Sequence, residues 1–242
     1  GSYSVVVNGG KEYETARESV QIGREGGTRS TQVTIQLRMK ADASNPAFAN
    51  VPPAALSNYQ KATEAMKKGN SKSAVEFLNS AIAAYPNFTI ALHDLGTQYM
   101  MMKDMNKAAE TFETLVKLEP KDPSAHLSLG IALFNLKKFD DAEAQLREAL
   151  NLNSPGPTAH YYLGLTYVST KRYEESQKEL EAAVANGGEN LALAHKYLGG
   201  LYMSSKKNQQ AADELEKYLK LDPKAPDADR IKGTIKDLRS KQ

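Results

Sequence analysis

The sequence predicts a mainly α fold: a solenoid of about five stacked helix pairs with a C-terminal capping helix, preceded by a short two- or three-stranded β segment. Three observations carry this expectation. Gly96, Gly130, Gly164 and Gly199 recur at spacings of 34, 34 and 35 residues, each preceded by leucine and followed three residues later by Tyr99, Leu133, Tyr167 or Tyr202. Twelve residues after each glycine stands a small residue (Ala108, Ala142, Ser176, Ala211), and sixteen after it a bulky one (Phe112, Leu146, Leu180, Leu215). A fixed period of this length, with small residues where helices would touch, marks a stack of two-helix units. Ahead of the array, apolar and polar residues alternate with the period of two that marks half-buried strands.

From the N-terminus, Tyr3, Val5 and Val7 share one face of a first strand, and Asn8-Gly9-Gly10 is a turn signal. A short run from Ser19 to Ile22 ends at Gly23-Arg24-Glu25-Gly26-Gly27, and Val33, Ile35, Leu37 and Met39 then alternate with Thr34, Gln36, Arg38 and Lys40. Residues 43–54, with Asn45-Pro46 and Pro52-Pro53, read as a linker. A divergent helix pair follows: Ala55 to Lys68, a turn at Gly69-Asn70, then Ala74, Leu78 and Ala81 before the exit at Tyr85-Pro86-Asn87. It carries Ala62 in place of glycine, and Asn58 and Lys61 at otherwise apolar positions, which suits a terminal unit.

In the next pair, Leu92, Leu95, Tyr99 and Met102 form the stripe of a helix over Thr89 to Met102, and Ala108, Phe112 and Leu115 point inward from its partner. Gly96 and Ala108 are expected where the paired axes cross, because larger side chains would push them apart. Pro120 stops the second helix, and Ser154-Pro155 and Pro223 close two later units. The fourth unit closes on Gly187-Gly188, where the period lengthens, so the extra residue is expected in a loop. A last helix from Ala225 shows Ile231, Ile235 and Leu238 on one face and Arg230, Lys232, Lys236 and Arg239 on the other.

These spaced glycines and their companions closely resemble the tetratricopeptide repeat (TPR) family over residues 55–223. The units are 55–88, 89–122, 123–156, 157–191 and 192–225, with a cap over 226–242. The resemblance implies a right-handed superhelix whose first helices line a concave, partner-binding side. Residues 1–42, through Gly1-Ser2-Tyr3-Ser4-Val5-Val6-Val7 and the closing strand Thr31 to Lys40, resemble the end of a carboxypeptidase-regulatory-like (transthyretin-like) β-sandwich. The early strands of such a domain are missing, so the chain is expected to begin inside a longer protein.

A net charge of +2 gives no general drive toward nucleic acid, and no apolar run reaches the length needed to insert in a membrane. Without cysteine there is no disulfide or thiolate chemistry. Asn87-Phe88-Thr89 fits a glycosylation acceptor, a triplet that also arises often by chance. His126, His160 and His195 occupy equivalent places in three units, with His93 one residue off register. Such a ladder suggests a metal site. Stacked helices, however, hold equivalent residues about 8–10 Å apart, too far to share one zinc. Semi-polar filler between helices is the favoured reading, and no metal or cofactor is expected. Ser57, Ser128 and Ser169 lack an oriented histidine–carboxylate pair, and Gly23 to Gly27 lacks the lysine–hydroxyl pair of a phosphate loop. Asp140-Asp141 and Glu174-Glu175 sit where helix dipoles favour negative charge. No enzyme is expected.

Helical phase points His93 and Met100, then Leu127, Ile131 and Phe134, then Tyr161, Tyr162, Leu165 and Val168, and finally Tyr197 and Met203 toward the side the family uses. Exposed apolar and aromatic residues in that number ask for a cover, and tyrosine and methionine are good peptide anchors. The alternative is that some of them only complete the packing of the array. The lysine–asparagine–arginine clamp of chaperone-tail binders is missing. One register offers Tyr59 and Thr63, Asp94, then Ser124 and Ser128; the next offers His93 and Thr97, Ser128, then Thr158 and Tyr162. The expected function is a non-catalytic scaffold that binds a peptide or helix of another protein. The alternative is an assembly module that forms a homodimer through its N-terminal strands. The two resemblances together suggest a bacterial envelope or secreted protein over a cytoplasmic one.

Overall fold

The computed structural model describes residues 2–7, 16–21, 48–154, 156–188 and 190–240. The chain divides into two compact units, Gly1–Met102 and Lys103–Gln242. In the first, β1 (Ser2–Val7) pairs antiparallel with β2 (Ala16–Gln21), Ser2 opposite Gln21 and Val7 opposite Ala16. The closing strand expected over Thr31 to Lys40 lies outside the described residues.

Three helices follow: α1 (Pro53–Lys67), α2 (Ser71–Ala84) and α3 (Thr89–Met101). Pro53 opens α1, where a missing N–H costs nothing. The Asn70 side chain caps α2 by accepting from the Ser73 N–H at 3.2 Å. Between them Gly69 stands at φ +69°, the left-handed conformation that ends a helix and reverses the chain. The core holds an aromatic cluster that the helical period did not announce. Phe48, inside the stretch read as linker, is buried against Tyr59 and Phe88, with ring centroids 5.7 and 6.0 Å away. The Tyr59 hydroxyl donates to Asp94 Oδ2 at 2.8 Å and ties α1 to α3. Met102, expected on the buried stripe of α3, follows the helix end and is exposed.

The second unit runs α4 (Met105–Leu118), α5 (Pro123–Asn135), α6 (Phe139–Asn151), α7 (Thr158–Ser169), α8 (Tyr173–Ala183), α9 (Ala192–Ser204), α10 (Asn208–Leu221) and α11 (Ala228–Ser240). Each packs on the next in sequence. Inside three pairs the periodic glycine faces the bulky residue sixteen positions on. A Cβ on Gly130, Gly164 or Gly199 would stand 2.7 Å from the Cγ of Leu146, Leu180 or Leu215. Those leucines are buried, and each contributes about 2–3 kcal/mol of apolar burial that a side chain on the glycine would disturb. The small residue at the twelfth position lies near the same backbone: Ser176 Oγ donates to the Gly164 carbonyl at 2.9 Å.

The turns inside the pairs repeat too. Lys137, Lys171 and Lys206 adopt φ of 61°, 62° and 58°, the place held by Gly69 in the first unit. Each closes a Schellman motif, as where the Lys137 N–H donates to the Phe134 carbonyl and the Lys138 N–H to that of Leu133. The extra residue of the 35-residue interval falls in a wide turn over Val184–Gly188, with Gly187 at φ +95°. A Cβ on Gly188 would lie 2.4 Å from the Ala183 carbonyl oxygen, so only glycine fits there.

Ile231 and Leu238 of α11 bury against Leu215 and Tyr218, with Ile235 packed beside them. Asp227, just before α11, accepts from the Tyr218 hydroxyl and from Lys196 Nζ, each at 2.8 Å. Arg239 reaches back to Asp213 and Glu216 of α10. The last helix is therefore fastened at both ends. Among the described residues, no helix is long and apolar enough to cross a membrane.

Candidate protein-binding surface

Packing sorts the residues of α5, α7 and α9 into two sets. Leu129 and Leu133, Leu163 and Tyr167, and Leu198 and Tyr202 turn into the stack and are buried. The positions beside them form an aromatic line. Phe134 at the end of α5 meets Tyr162 of α7 edge-on at 5.6 Å between centroids, and Tyr162 meets Tyr161 at 5.3 Å. Tyr161 in turn is close enough to Tyr197 of α9 for that phenol to help raise the Tyr161 pKa. Phe139 supports Phe134 from the start of α6 at 5.9 Å.

These phenols are held as donors. Burial, then the neighbouring Tyr162 and Tyr197 hydroxyls, push Tyr161 up to about 12, and burial also raises Tyr162. Neither hydroxyl finds a hydrogen-bond partner among the described residues. A half-buried phenol whose hydroxyl is not taken up by the scaffold can donate to a carbonyl brought by something else.

The residues singled out from the sequence fall into three groups. Phe134, Tyr161, Tyr162 and Tyr197 make up the line itself, and Val168 lies beyond it in a cleft with Tyr197. Leu127 is half-buried and packs against the core residues Leu146, Leu163 and Tyr167, as Tyr162 also does, and Leu165 is only 8% exposed. Ile131 is half-buried, and Met203 is exposed at the far end of α9. His93 and Met100 belong to α3 of the first unit and are half-buried there. The sequence reading missed Tyr173 and Leu193, exposed by 51% and 49%. The one signal available was an apolar residue at the first position of α8 and another in the first turn of α9, where polar residues are usual.

The histidines have a role more specific than filling space. Nδ1 of His126 lies 2.7 Å from the Gln145 side-chain amide, and its Nε2 3.0 Å from the Pro120 carbonyl oxygen. His160 donates through Nδ1 to Glu179 at 2.7 Å, and His195 to Glu214 at 2.5 Å. Each partner stands 19 residues after its histidine, on the second helix of the same pair. Burial pushes the Glu214 carboxyl up, but hydrogen bonds from His195 and Lys217 outweigh it and leave the group below the usual carboxylate range. The rings are paired one by one inside their own units. Among the described residues, no three His, Asp or Glu side chains gather around a common point.

Between neighbouring helix pairs of the second unit the contacts are also polar. The Tyr167 hydroxyl donates to Glu143 Oε1 at 2.9 Å, and the Tyr202 hydroxyl to Glu181 Oε1 at 2.6 Å. Arg172 lies 4.2 Å over the Tyr167 ring and forms ion pairs with Glu143 and Glu175. Burial pushes Tyr167 up to about 12, helped by its bond to Glu143. These groups hold neighbouring pairs together and are spent on the scaffold.

The tetratricopeptide repeat family profile matches residues 93–160, 127–190 and 161–226, and a second profile of the same description matches 55–88. Comparison with curated protein sequences gives no match. Among solved structures, MamA 41-end from Desulfovibrio magneticus RS-1 superposes with a TM-score of 0.65 at 20% identity, over 73% of this chain and 99% of that one. A thermophilic TPR protein of Thermus thermophilus gives 0.56 at 21% identity, over 75% and 99%. YrrB, described as a TPR protein with an unusual peptide-binding site, gives 0.62 at 19% identity, over 80% and 100%. At these identities the likeness is one of fold.

Proposed function

Because the chain belongs to the tetratricopeptide repeat family, we propose that it is a non-catalytic scaffold whose α5, α7 and α9 present a binding surface to a peptide or helix of another protein. The single observation that carries this reading is the aromatic line Phe134–Tyr162–Tyr161–Tyr197. It crosses three successive first helices, is only half-covered, and keeps two hydroxyls, those of Tyr161 and Tyr162, without hydrogen-bond partners among the described residues. Such a surface offers rigid apolar area at low entropic cost together with donors for a backbone, the combination that anchors a bound chain. The peptide-binding description of YrrB, on the same fold, supports the reading. An affinity in the micromolar range, roughly −8 kcal/mol, is ordinary for such a contact.

Leu165→Glu is a poor probe, because Leu165 is buried and the charge would damage the fold itself. The test is therefore affinity capture with the intact protein, followed by calorimetry on the captured partner with Phe134→Ala and Tyr161→Ala. Each variant should lose more than about 1 kcal/mol of binding if its ring is an anchor. Unchanged affinity in both, with helical content intact by circular dichroism, removes the reading.

A further inference from the structure

Beyond the aromatic line, between the end of α7 and the length of α9, lies a cleft of ≈ 450 Å³. Its apolar walls are Val168, Tyr173, Leu193, Tyr197 and Leu201, and Gly200 belongs to the same lining. Tyr173, Leu193 and Tyr197 are 51%, 49% and 38% exposed, unusual for side chains of this size that share one cleft.

Gly200 is the informative residue. It stands in the middle of α9, where glycine weakens a helix relative to alanine. Its neighbour Gly199 is required by Leu215, but a Cβ built on Gly200 meets no atom within 4 Å. Packing does not ask for glycine there. Gly200 is exposed, and what its absent side chain leaves is room in the wall of an apolar cleft large enough for one or two bulky side chains.

Charge says what surrounds that side chain. Residues 168–175 and 193–207 carry Lys171, Arg172, Lys196, Lys206 and Lys207 against Glu174 and Glu175. Arg172 is held by Glu143 and Glu175, Lys196 by Asp227, and Lys207 lies over the Tyr202 ring. Lys171 and Lys206 are exposed, one two residues before Tyr173 and the other two residues after Ser204, itself in the cleft lining. Among the described residues, no carboxylate lines the cleft.

We propose that this cleft docks a partner segment with one bulky apolar or aromatic side chain, seated over Gly200, and carboxylates beside it that meet Lys171 and Lys206. The inference rests on the binding-surface reading above and narrows it to one end of that surface and one chemistry of ligand.

The test uses the full chain and fluorescein-labelled dodecapeptides with one central phenylalanine, flanked by glutamates or, as a control, by lysines. Anisotropy should show the glutamate-flanked peptide binding with a Kd on the order of 10–100 µM, weakening as salt rises, and no binding of the lysine-flanked one. Gly200→Leu narrows the cleft from a position with open space, so the melting temperature should hold or rise while affinity falls by about tenfold or more. The double variant Lys171→Glu, Lys206→Glu should lose the preference for acidic flanks. Equal binding of both peptides, no binding of either, or full affinity in Gly200→Leu overturns the proposal. So does a concentration-dependent dimer in sedimentation that Gly200→Leu abolishes, since the cleft would then hold a second copy of this chain. Binding that survives Gly200→Leu but is lost in Phe134→Ala overturns the cleft and leaves the wider surface standing. Binding lost in Gly200→Leu and kept in Phe134→Ala supports the cleft alone.

Discussion

Replacing Gly199 and Gly200 by alanine, one at a time, separates the two reasons a helix can contain glycine. Both residues lie inside α9, so each substitution gains the same helix propensity, about 1 kcal/mol, and removes the same freedom from the unfolded chain. Only the surroundings differ. A methyl on Gly199 would sit 2.7 Å from Leu215 Cγ and Cδ2 and 3.4 Å from the Ala211 carbonyl oxygen, whereas on Gly200 it meets nothing. Leu215 is buried in the core that α9 shares with α10 and α11, so it has little space to retreat into. Overpacking of this kind costs about 1–3 kcal/mol. Gly200→Ala should therefore stabilise the protein by about 1 kcal/mol, and Gly199→Ala should come out between neutral and about 2 kcal/mol destabilised. Their difference is the steric term alone. Urea titration followed by circular dichroism, with amide exchange in α9 and α10 to localise the change, measures it. If the two variants agree within about 0.5 kcal/mol, the argument that Leu215 dictates glycine at 199 is wrong.

Two further outcomes follow from local geometry. Lys138 holds the N-cap position of α6 at φ −84° and ψ 71°, nearly the angles of Asn70 and Asp104, whose side chains do cap their helices. Lys138→Asn should therefore add about 1 kcal/mol, read as a rise in the urea midpoint at unchanged slope. Hydrogen bonds from Lys196 and Tyr218 hold the Asp227 carboxyl at about 2, below the roughly 3.9 of an unfolded aspartate. Because the folded value is the lower one, this group stabilises fully above about pH 4 and loses its contribution as pH falls toward 2. The melting temperature of Asp227→Asn should thus lie below wild type at pH 5 and converge on it near pH 2. A gap that does not change with pH would refute that linkage.

The sequence alone determined the helices, because their signals are local and repeat. Thr89 and Met101 bound α3 almost where the apolar stripe placed them, and Asp140-Asp141 and Glu174-Glu175 do open second helices. The glycine period announced where paired helices touch. It did not say that the contact is made by the leucine sixteen residues later, since that depends on how two helices settle against each other. Long-range partnerships were closed to it as well. The 19-residue step from each histidine to its acceptor, and the burial of Phe48 beneath Phe88, join residues whose separation follows no helical period. The same limit holds for the candidate surface. Helical phase proposed a set of residues along the first helices, but phase cannot tell a half-covered ring from a covered one. Packing made that division, burying Leu165, leaving Tyr197 in reach of solvent, and opening space over Gly200 while closing it over Gly199. Periodicity ranks which side of a helix turns inward; only neighbouring atoms decide how much of that side stays free for a partner.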